Sequence, residues 1–444
     1  MKSAGGSSAE KLLQRLVESS IHAVKPGTIF ENQLHVSGDV LTVFGHAFEP
    51  KKPDTIRCVS IGKSAEAMAL EVEKRLGDRV KGIIATPVEK HLGVSRFEFF
   101  KTGHPFPDGE SVKAGEKVRQ FVASCHAKES LLFLISGGGS ASLFLPIEGV
   151  SLDDTNRLIK AALDNGVSID KLNLLRRHLS LLGGGKLAAL AKKTEKLSLI
   201  ISDVVGDDLS SIASGPTVPD ATTPRDAYNF VVDSGLLEMV PASIPIALRK
   251  LPDHSGGVSL EKNGVQIIAS NSKALSAAEQ EGIGSGFNTL VLTRFLDSDA
   301  ESAAALLVSI AASIETEGDP VPSPALILIG GETTVKVRGA GKGGRNQHLV
   351  LSALKGLVNL KHLGINLKRT TIFSFGTDGK DGNSNAAGAF AAPELHADFH
   401  GRAGEVKKYL DESDSNSFFT KYGGLISTGP TDTNVMDISG IIVV

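Results

Sequence analysis

Two cations, several carboxylates and two glycine clusters stand directly after apolar runs along this chain. Lys63 follows a run in "SIGKSA" (60–65), and Arg345 closes "VRGAGKGGRNQHL" (337–349). Asp203, Asp207 and Asp208 follow another in "ISDVVGDDLSSIASGPT", Glu332 sits in "GGET", and Asp378 and Asp381 in "TDGKDGNSN". The segment "LLFLISGGGSASLFLP" (131–146) runs into Ser136, Gly137, Gly138, Gly139 and Ser140. Glycine costs backbone entropy, so such a run means a close approach to the main chain, by a phosphate, a neighbouring helix or a tight turn. Backbone amides with a lysine or arginine suit an anion, and one or two hard carboxylates plus phosphate oxygens suffice for Mg²⁺. Asp, Ser and Gly are also ordinary turn residues. Both readings of the carboxylates stand at this point.

The named signatures narrow the chemistry. A Walker A loop would need glycine at position 57, which is Arg57. Gly339, Gly341 and Gly344 fit GxGxxG, but a dinucleotide fold wants an acidic residue about 20 positions later to hold the ribose. From Thr333 to Thr377 there is none, while eight residues are Lys or Arg. That field favours phosphate for Gly343, Gly344 and Arg345. With no carboxylate near it in sequence, Arg345 is expected to be a loop cation whose partner arrives with a ligand. "LLRRHLSLLGGGKLAAL" groups Arg176, Arg177, His178 and Lys186. Nucleophile elbows, HExxH and Cys/His pairings do not occur.

Parallel α/β architecture accounts for these placements. Short β-rich runs alternate with helical patterns: "IRCVSI", "KGIIAT", "LLFLIS" and "KLSLIIS", then a second series of "VQIIAS", "FNTLVLT", "ALILIGG" and "TTIFSFG". Ligands in such sheets bind outside the carboxyl ends of the strands. The expected fold is two three-layer α/β/α domains with mostly parallel sheets, at 1–250 and 258–444, divided by the loop "LPDHSGG" (251–257).

At 444 residues the chain exceeds one hydrophobic core. Its net charge of -3 argues against nucleic-acid or membrane partners. No apolar run approaches the roughly 20 residues of a membrane span. Two cysteines, Cys58 and Cys125, and an N-terminus without an apolar signal core make the cytoplasm the default expectation.

Taken together, "TGHPFPD" (102–108), "LISGGGSA", "ISDVVGDDLSSIASGPTVPD", "GGET", "GKGGRNQ", "GTDGKDGNSNAAGA" and "GPTDTNV" (429–435) resemble the class II glycerate kinases, the glycerate 2-kinases whose C-terminal part is the MOFRL domain. The likeness runs from about residue 10 to 444. It implies transfer of the γ-phosphoryl of ATP to the 2-hydroxyl of D-glycerate, with Mg²⁺, in a cleft between two α/β domains. Carried over by position, Lys63 and Arg345 become the catalytic cations. The 136–140 loop, with Gly343 and Gly344, lines phosphates through amides and the Ser136 and Ser140 hydroxyls. Arg176, Lys186 and Asn346 are the expected substrate contacts, and Asp203, Asp208, Glu332 and Asp378 the expected metal ligands. The chain departs from the family at His348, usually Glu; at Gly183-Gly184-Gly185-Lys186, usually Lys-Gly-Gly-Arg; and at Ile61, usually Gly. Phosphoryl transfer fits these residue types, because it asks for positioning and electrostatic stabilisation more than covalent chemistry. Two other classes stay open: a nicotinamide-dependent hydroxypyruvate reductase and a non-catalytic metabolite sensor. So do the 3-phospho isomer as product and the oligomeric state, a homodimer included.

Overall fold

A computed structural model describes residues 7–31, 33–37, 40–48, 56–126, 129–192, 194–252, 263–362 and 364–444. The chain opens on helix α1 (Ser8–Val24), capped where the Ser7 hydroxyl accepts from Glu10 N. Leu12, Leu13, Leu16 and Val17 form its buried stripe, the spacing of a one-sided helix.

Residues 26–268 form one compact unit. Its six-stranded sheet contains β1 (Ile56–Ile61), β2 (Val80–Thr86), β3 (Phe97–Lys101), β4 (Ser130–Ser136), β5 (Glu195–Ile201) and β6 (Asn263–Ala269), in the order β3-β2-β1-β4-β5-β6. The pairings from β3 to β5 are all parallel. Every position of β4 is buried, as befits a parallel strand covered on both faces. Helices α2 (Ala65–Leu76) and α3 (Gly109–Ala123) pack on the sheet, and α4 (Ile169–Leu179) buries Leu174, Leu175 and Leu179 in a separate helical cluster. A capping box of Asp108 and Ser111 starts α3, so the "TGHPFPD" stretch ends as a helix cap.

The second unit joins α1 to residues 269–444. It carries α5 (Asn271–Gly284), β7 (Asn288–Asp299), α6 (Ala300–Glu317), β8 (Ala325–Thr334), α7 (Arg345–His362), β9 (Thr370–Gly376), β10 (Gly388–Ala391), β11 (Leu425–Ile426) and β12 (Asp437–Val443). The sheet order is β7-β8-β12-β9-β10-β11. Strand β12 lies antiparallel between β8 and β9, with Asp437 in register with both Gly331 and Gly376. The start of β12 therefore shares an edge with the ends of β8 and β9.

The expected α/β class is what is found, with the first sheet parallel throughout its paired core. Two details differ from the expectation. "VQIIAS" is β6 and extends the first sheet, and helix α1 belongs with the second unit rather than with 1–250. Helix α1 goes there because it packs on α5, where Arg15 Nε pairs with Glu281 Oε1 at 2.7 Å. Of the loop expected to divide the domains, 253–257 lie outside the described residues. The second sheet is mixed, and among the described residues its one parallel pair is β7 with β8.

Candidate functional site

In the 26–268 unit the loop after β1 and the loop after β4 are laced together. Lys63 N donates to Gly137 O at 2.9 Å, and Ser64 N donates to Ser136 Oγ at 3.0 Å. The Ser136 hydroxyl in turn donates to Ile61 O at 3.1 Å and is fully buried. Its proton is committed to a carbonyl, so it ties the two loops together rather than facing a ligand. Ser140 Oγ accepts from Ser214 Oγ at 2.8 Å, which leaves the Ser140 proton to donate elsewhere.

The three glycines serve close packing first. A Cβ on Gly137 would stand 1.5 Å from Asp203 Oδ2, and one on Gly139 would stand 2.6 Å from Ala213 Cβ. Gly138 adopts φ +81°, with Lys63 Cγ and His104 Cδ2 each 3.3 Å from where its Cβ would be. The loop thus brings Lys63, His104 and Asp203 against bare backbone. His104 belongs to the "TGHPFPD" stretch after β3 and was not among the expected site residues.

Arg176, in the last turn of α4, reaches the same stretch, its Nη2 donating to Pro105 O at 3.3 Å. Partial burial pushes its guanidinium down to about 10, still charged at neutral pH. His104 is exposed by area yet closely crowded. Crowding, then the charges of Lys63 and Arg176, lowers it to about 4, so its imidazole is neutral at pH 7.

Lys186 points elsewhere. Its Nζ donates to Arg177 O at 2.7 Å, and burial pulls its pKa down to about 8. Its neighbours form a closed network, in which Arg177 Nε meets Asp220 Oδ2 at 3.0 Å and His178 Nε2 lies 2.9 Å from Thr222 Oγ1. Asp208 receives Ser210 N, Ser210 Oγ and Ser211 Oγ at 3.1, 2.8 and 2.6 Å. Both its oxygens are engaged by its own turn, as in an ordinary turn residue.

In the second unit Arg345 opens α7. Its Nε donates to Asp437 Oδ2 at 2.5 Å and its Nη2 to Asp437 Oδ1 at 3.0 Å, while Nη1 lies 2.6 Å from Glu332 Oε1. Burial alone would pull its pKa down. Asp437, Glu332 and Asp381 together outweigh burial and raise it. The expectation of a loop cation partnered only by ligand is therefore corrected, because strands β12 and β8 supply two carboxylates. Asp437 escaped the sequence reading.

The glycines before Arg345 again fit protein neighbours. Gly343 N donates to Asn383 Oδ1 at 2.8 Å, and a Cβ on Gly344 would stand 2.4 Å from Gly382 N. Buried Asp381 caps α7, accepting Asn346 N at 3.1 Å and Gln347 N at 2.9 Å. Asn346 is buried as well, with its Oδ1 receiving Ser374 Oγ at 2.5 Å. Asp378 Oδ1 accepts Lys380 N at 3.0 Å.

Among the described residues no three of His, Cys, Asp or Glu are arranged to hold a metal. Carboxylate oxygens of Asp203, Glu332 and Asp378 remain the hard donors Mg²⁺ prefers, and one or two suffice when phosphate completes the shell. A groove of about 620 Å³ runs between α1 and residues 426–431 of the same unit. No expected site residue lines it. Thr431 Oγ1, on its wall, donates to Thr377 O at 2.7 Å.

Each unit of this α/β protein carries a glycine loop next to a cation, Lys63 in one and Arg345 in the other, an arrangement that suits small anions. Family models match residues 12–249 (a domain of unknown function, DUF4147) and 325–437 (MOFRL family). The D-glycerate 2-kinase of Thermotoga maritima is 35% identical over 98% of this chain and 99% of its own. The glycerate 2-kinase of Pyrococcus horikoshii is 36% identical over 96% of this chain and 95% of its own. The crystal structure of the Thermotoga maritima glycerate kinase superposes with a TM-score of 0.82 at 33% identity, covering 98% of this chain and all of that one. The chain belongs to the MOFRL-containing glycerate 2-kinase family and is a kinase.

Proposed function

We propose that the chain transfers the γ-phosphoryl of ATP to the 2-hydroxyl of D-glycerate, giving 2-phosphoglycerate. One observation carries the reading: Lys63 is held beside the side-chain-free Gly137–Gly139 backbone, with its own amide bonded to Gly137 O. A cation fixed against bare main chain is what a transferring phosphoryl group needs, since the step is governed by positioning and charge. The near full-length likeness to glycerate 2-kinases supplies the acceptor.

In this reading Lys63 neutralises non-bridging phosphate oxygens, and Ser140 donates its hydroxyl to a phosphate oxygen. Asp437 and Glu332 hold the Arg345 guanidinium in one orientation. Asp203, Glu332 or Asp378 would hold Mg²⁺, which would supply positive charge against the negative charge that develops in the transfer. No helix among the described residues is long and apolar enough to cross a membrane, and both substrates are small and soluble.

The test is incubation with ATP, Mg²⁺ and D-glycerate, with the product assigned by phosphorus NMR. A 2-phosphoglycerate resonance supports the proposal. The 3-phospho isomer alone overturns the regiochemistry, and no glycerate-dependent ATP consumption overturns the activity.

A further inference from the structure

The groove between α1 and residues 426–431 holds about 620 Å³, within the size range of small-molecule sites. Its walls are tied together, because Thr433 Oγ1 donates to Val24 O at 2.8 Å. One wall is a single face of α1. Gln14, Glu18, Ile21 and Lys25 line it at steps of four and three residues, which fall on one side of a helix. At about 1.5 Å per residue the row is about 16 Å long. Its chemistry changes from end to end. At one end stand an amide and a carboxylate, with Gln14 Nε2 donating to Glu18 Oε1 at 2.8 Å. At the other stands Lys25, with no carboxylate in ion-pair distance among the described residues. Between the ends, Val17, Ile21 and Ile426 supply aliphatic surface. A cation at a helix C-terminus also complements the helix dipole, but the dipole accounts for neither the cavity nor its aliphatic floor. The opposite wall leans on the loop of Asp378. Thr431 Oγ1 donates to Thr377 O at 2.7 Å, and a Cβ on Gly379 would stand 2.0 Å from Gly429 O.

We propose that this groove is a nucleotide site. It takes a purine nucleoside phosphate, with the ring on Val17, Ile21 and Ile426, amino and hydroxyl groups towards Gln14 and Glu18, and the phosphate at Lys25. A largely apolar floor with a few polar groups that fix orientation is the usual make-up of a small-molecule pocket. Glu18 repels a phosphate and Lys25 attracts one, so the charge order along α1 sets which way round the ligand lies. The nucleoside phosphate is either the phosphoryl donor or a second nucleotide held as an effector, and both present the same groups to the groove. The assignment stands on the groove itself and does not depend on the kinase reading.

The experiment titrates AMP into the full chain by calorimetry, without acceptor, and then its two halves, adenosine and ribose 5-phosphate. Wild type should bind AMP more tightly than either half. Lys25→Ala should weaken AMP about 10- to 100-fold, the range of a lost charge-assisted hydrogen bond, and leave adenosine binding as it was. Ser427→Trp, at an exposed position on the rim, should fill the groove and weaken AMP and adenosine alike. Melting temperatures should hold in both variants, and hydrogen exchange with AMP bound should slow in α1 and in 426–431. A parallel ATP titration identifies the source. If ATP competes with AMP and weakens with it in the variants, the groove belongs to the donor. If ATP affinity holds while AMP is lost, it is an effector site. Absence of AMP binding to wild type, wild-type AMP affinity in either variant, or exchange protection that misses α1 overturns the proposal. Failure of wild type to phosphorylate D-glycerate, with AMP binding and its losses in the variants intact, would sink the kinase reading and leave the groove assignment standing.

Discussion

Arg345 and Asp437 meet side by side, Nε on Oδ2 at 2.5 Å and Nη2 on Oδ1 at 3.0 Å, across 92 residues of sequence. Asp437 is buried, while Arg345 keeps about a third of its side chain exposed. The pair fixes the plane of the guanidinium, and its exposed edge is the part a ligand can meet.

Arg345→Ala should therefore lose activity and stability together. Removing a preorganised donor costs about 2.7–4 kcal/mol in the transition state. Leaving buried Asp437 unpaired should cost about 1–3 kcal/mol of folding free energy. Arg345→Lys should recover charge but not the fork, and so little turnover. The checks are kcat/KM beside a urea melt. Unchanged stability in Arg345→Ala would show the ion pair to be weak, and near wild-type turnover would remove Arg345 from the site.

Asp437→Asn keeps the shape and one acceptor while removing the charge. If Asp437 acts by orienting Arg345, kcat should fall about tenfold or more while D-glycerate and ATP binding change little. Glu332→Gln should do less, because Glu332 meets the guanidinium at Nη1 while Asp437 meets both Nε and Nη2. A larger loss from Glu332 than from Asp437 would instead point to a direct role for Glu332, as a metal ligand for example.

How much of this was legible depended on strand direction. Lys63, the 136–140 loop, Asp203 and Glu332 all follow apolar runs, and the rule that ligands gather at the carboxyl ends of parallel strands located them. Asp437 precedes its run. It reaches the same edge only because β12 inserts antiparallel between β8 and β9, which no periodicity announces. His104 stood inside a quoted stretch but lies in a loop three residues past β3, and only the fold sets it beside Lys63. The glycines were read as openings for phosphate. Asp203, Ala213 and Gly382 occupy much of the space they leave, and those neighbours come from remote segments. Asp208, readable as a ligand or as a turn residue, has both oxygens in its own turn.

Acid should destabilise the fold partly through His178. Burial holds this imidazole below its ordinary value even though Asp220 pulls the other way. The unfolded chain takes up its proton near pH 6.5 while the folded chain does not. Below that pH the unfolded state binds more protons, so stability is full at neutral pH and falls as pH drops from about 6.5. His104, lowered to about 4, adds to the slope in the same direction. His178→Asn should flatten the fall in unfolding free energy, read from urea titrations between pH 7 and pH 4.5, by up to about 1.4 kcal/mol per pH unit. An identical slope in the variant would assign the acid sensitivity to other groups.

Gly137 carries the sharpest steric test. Its absent Cβ is the space that Asp203 fills, with Oδ2 1.5 Å and Cγ 2.1 Å from the Cβ position. The Gly137 backbone cannot shift cheaply, since its carbonyl accepts Lys63 N and Ser136 beside it is bonded to both Ile61 and Ser64. Gly137→Ala should therefore push Asp203 aside and cost about 1–3 kcal/mol, as overpacking does. If Asp203 serves Mg²⁺, the displacement should also raise the Mg²⁺ concentration needed for half-maximal activity. Asp203→Asn should raise it too, without the steric cost. Gly93→Ala is a fair control, because its φ of +76° is strained for alanine while nothing lies within 4 Å; it should cost stability and leave the Mg²⁺ requirement alone. Should Gly137→Ala melt lower with an unchanged Mg²⁺ requirement, Asp203 would be a packing residue, and the metal would have to be held by Glu332 or Asp378.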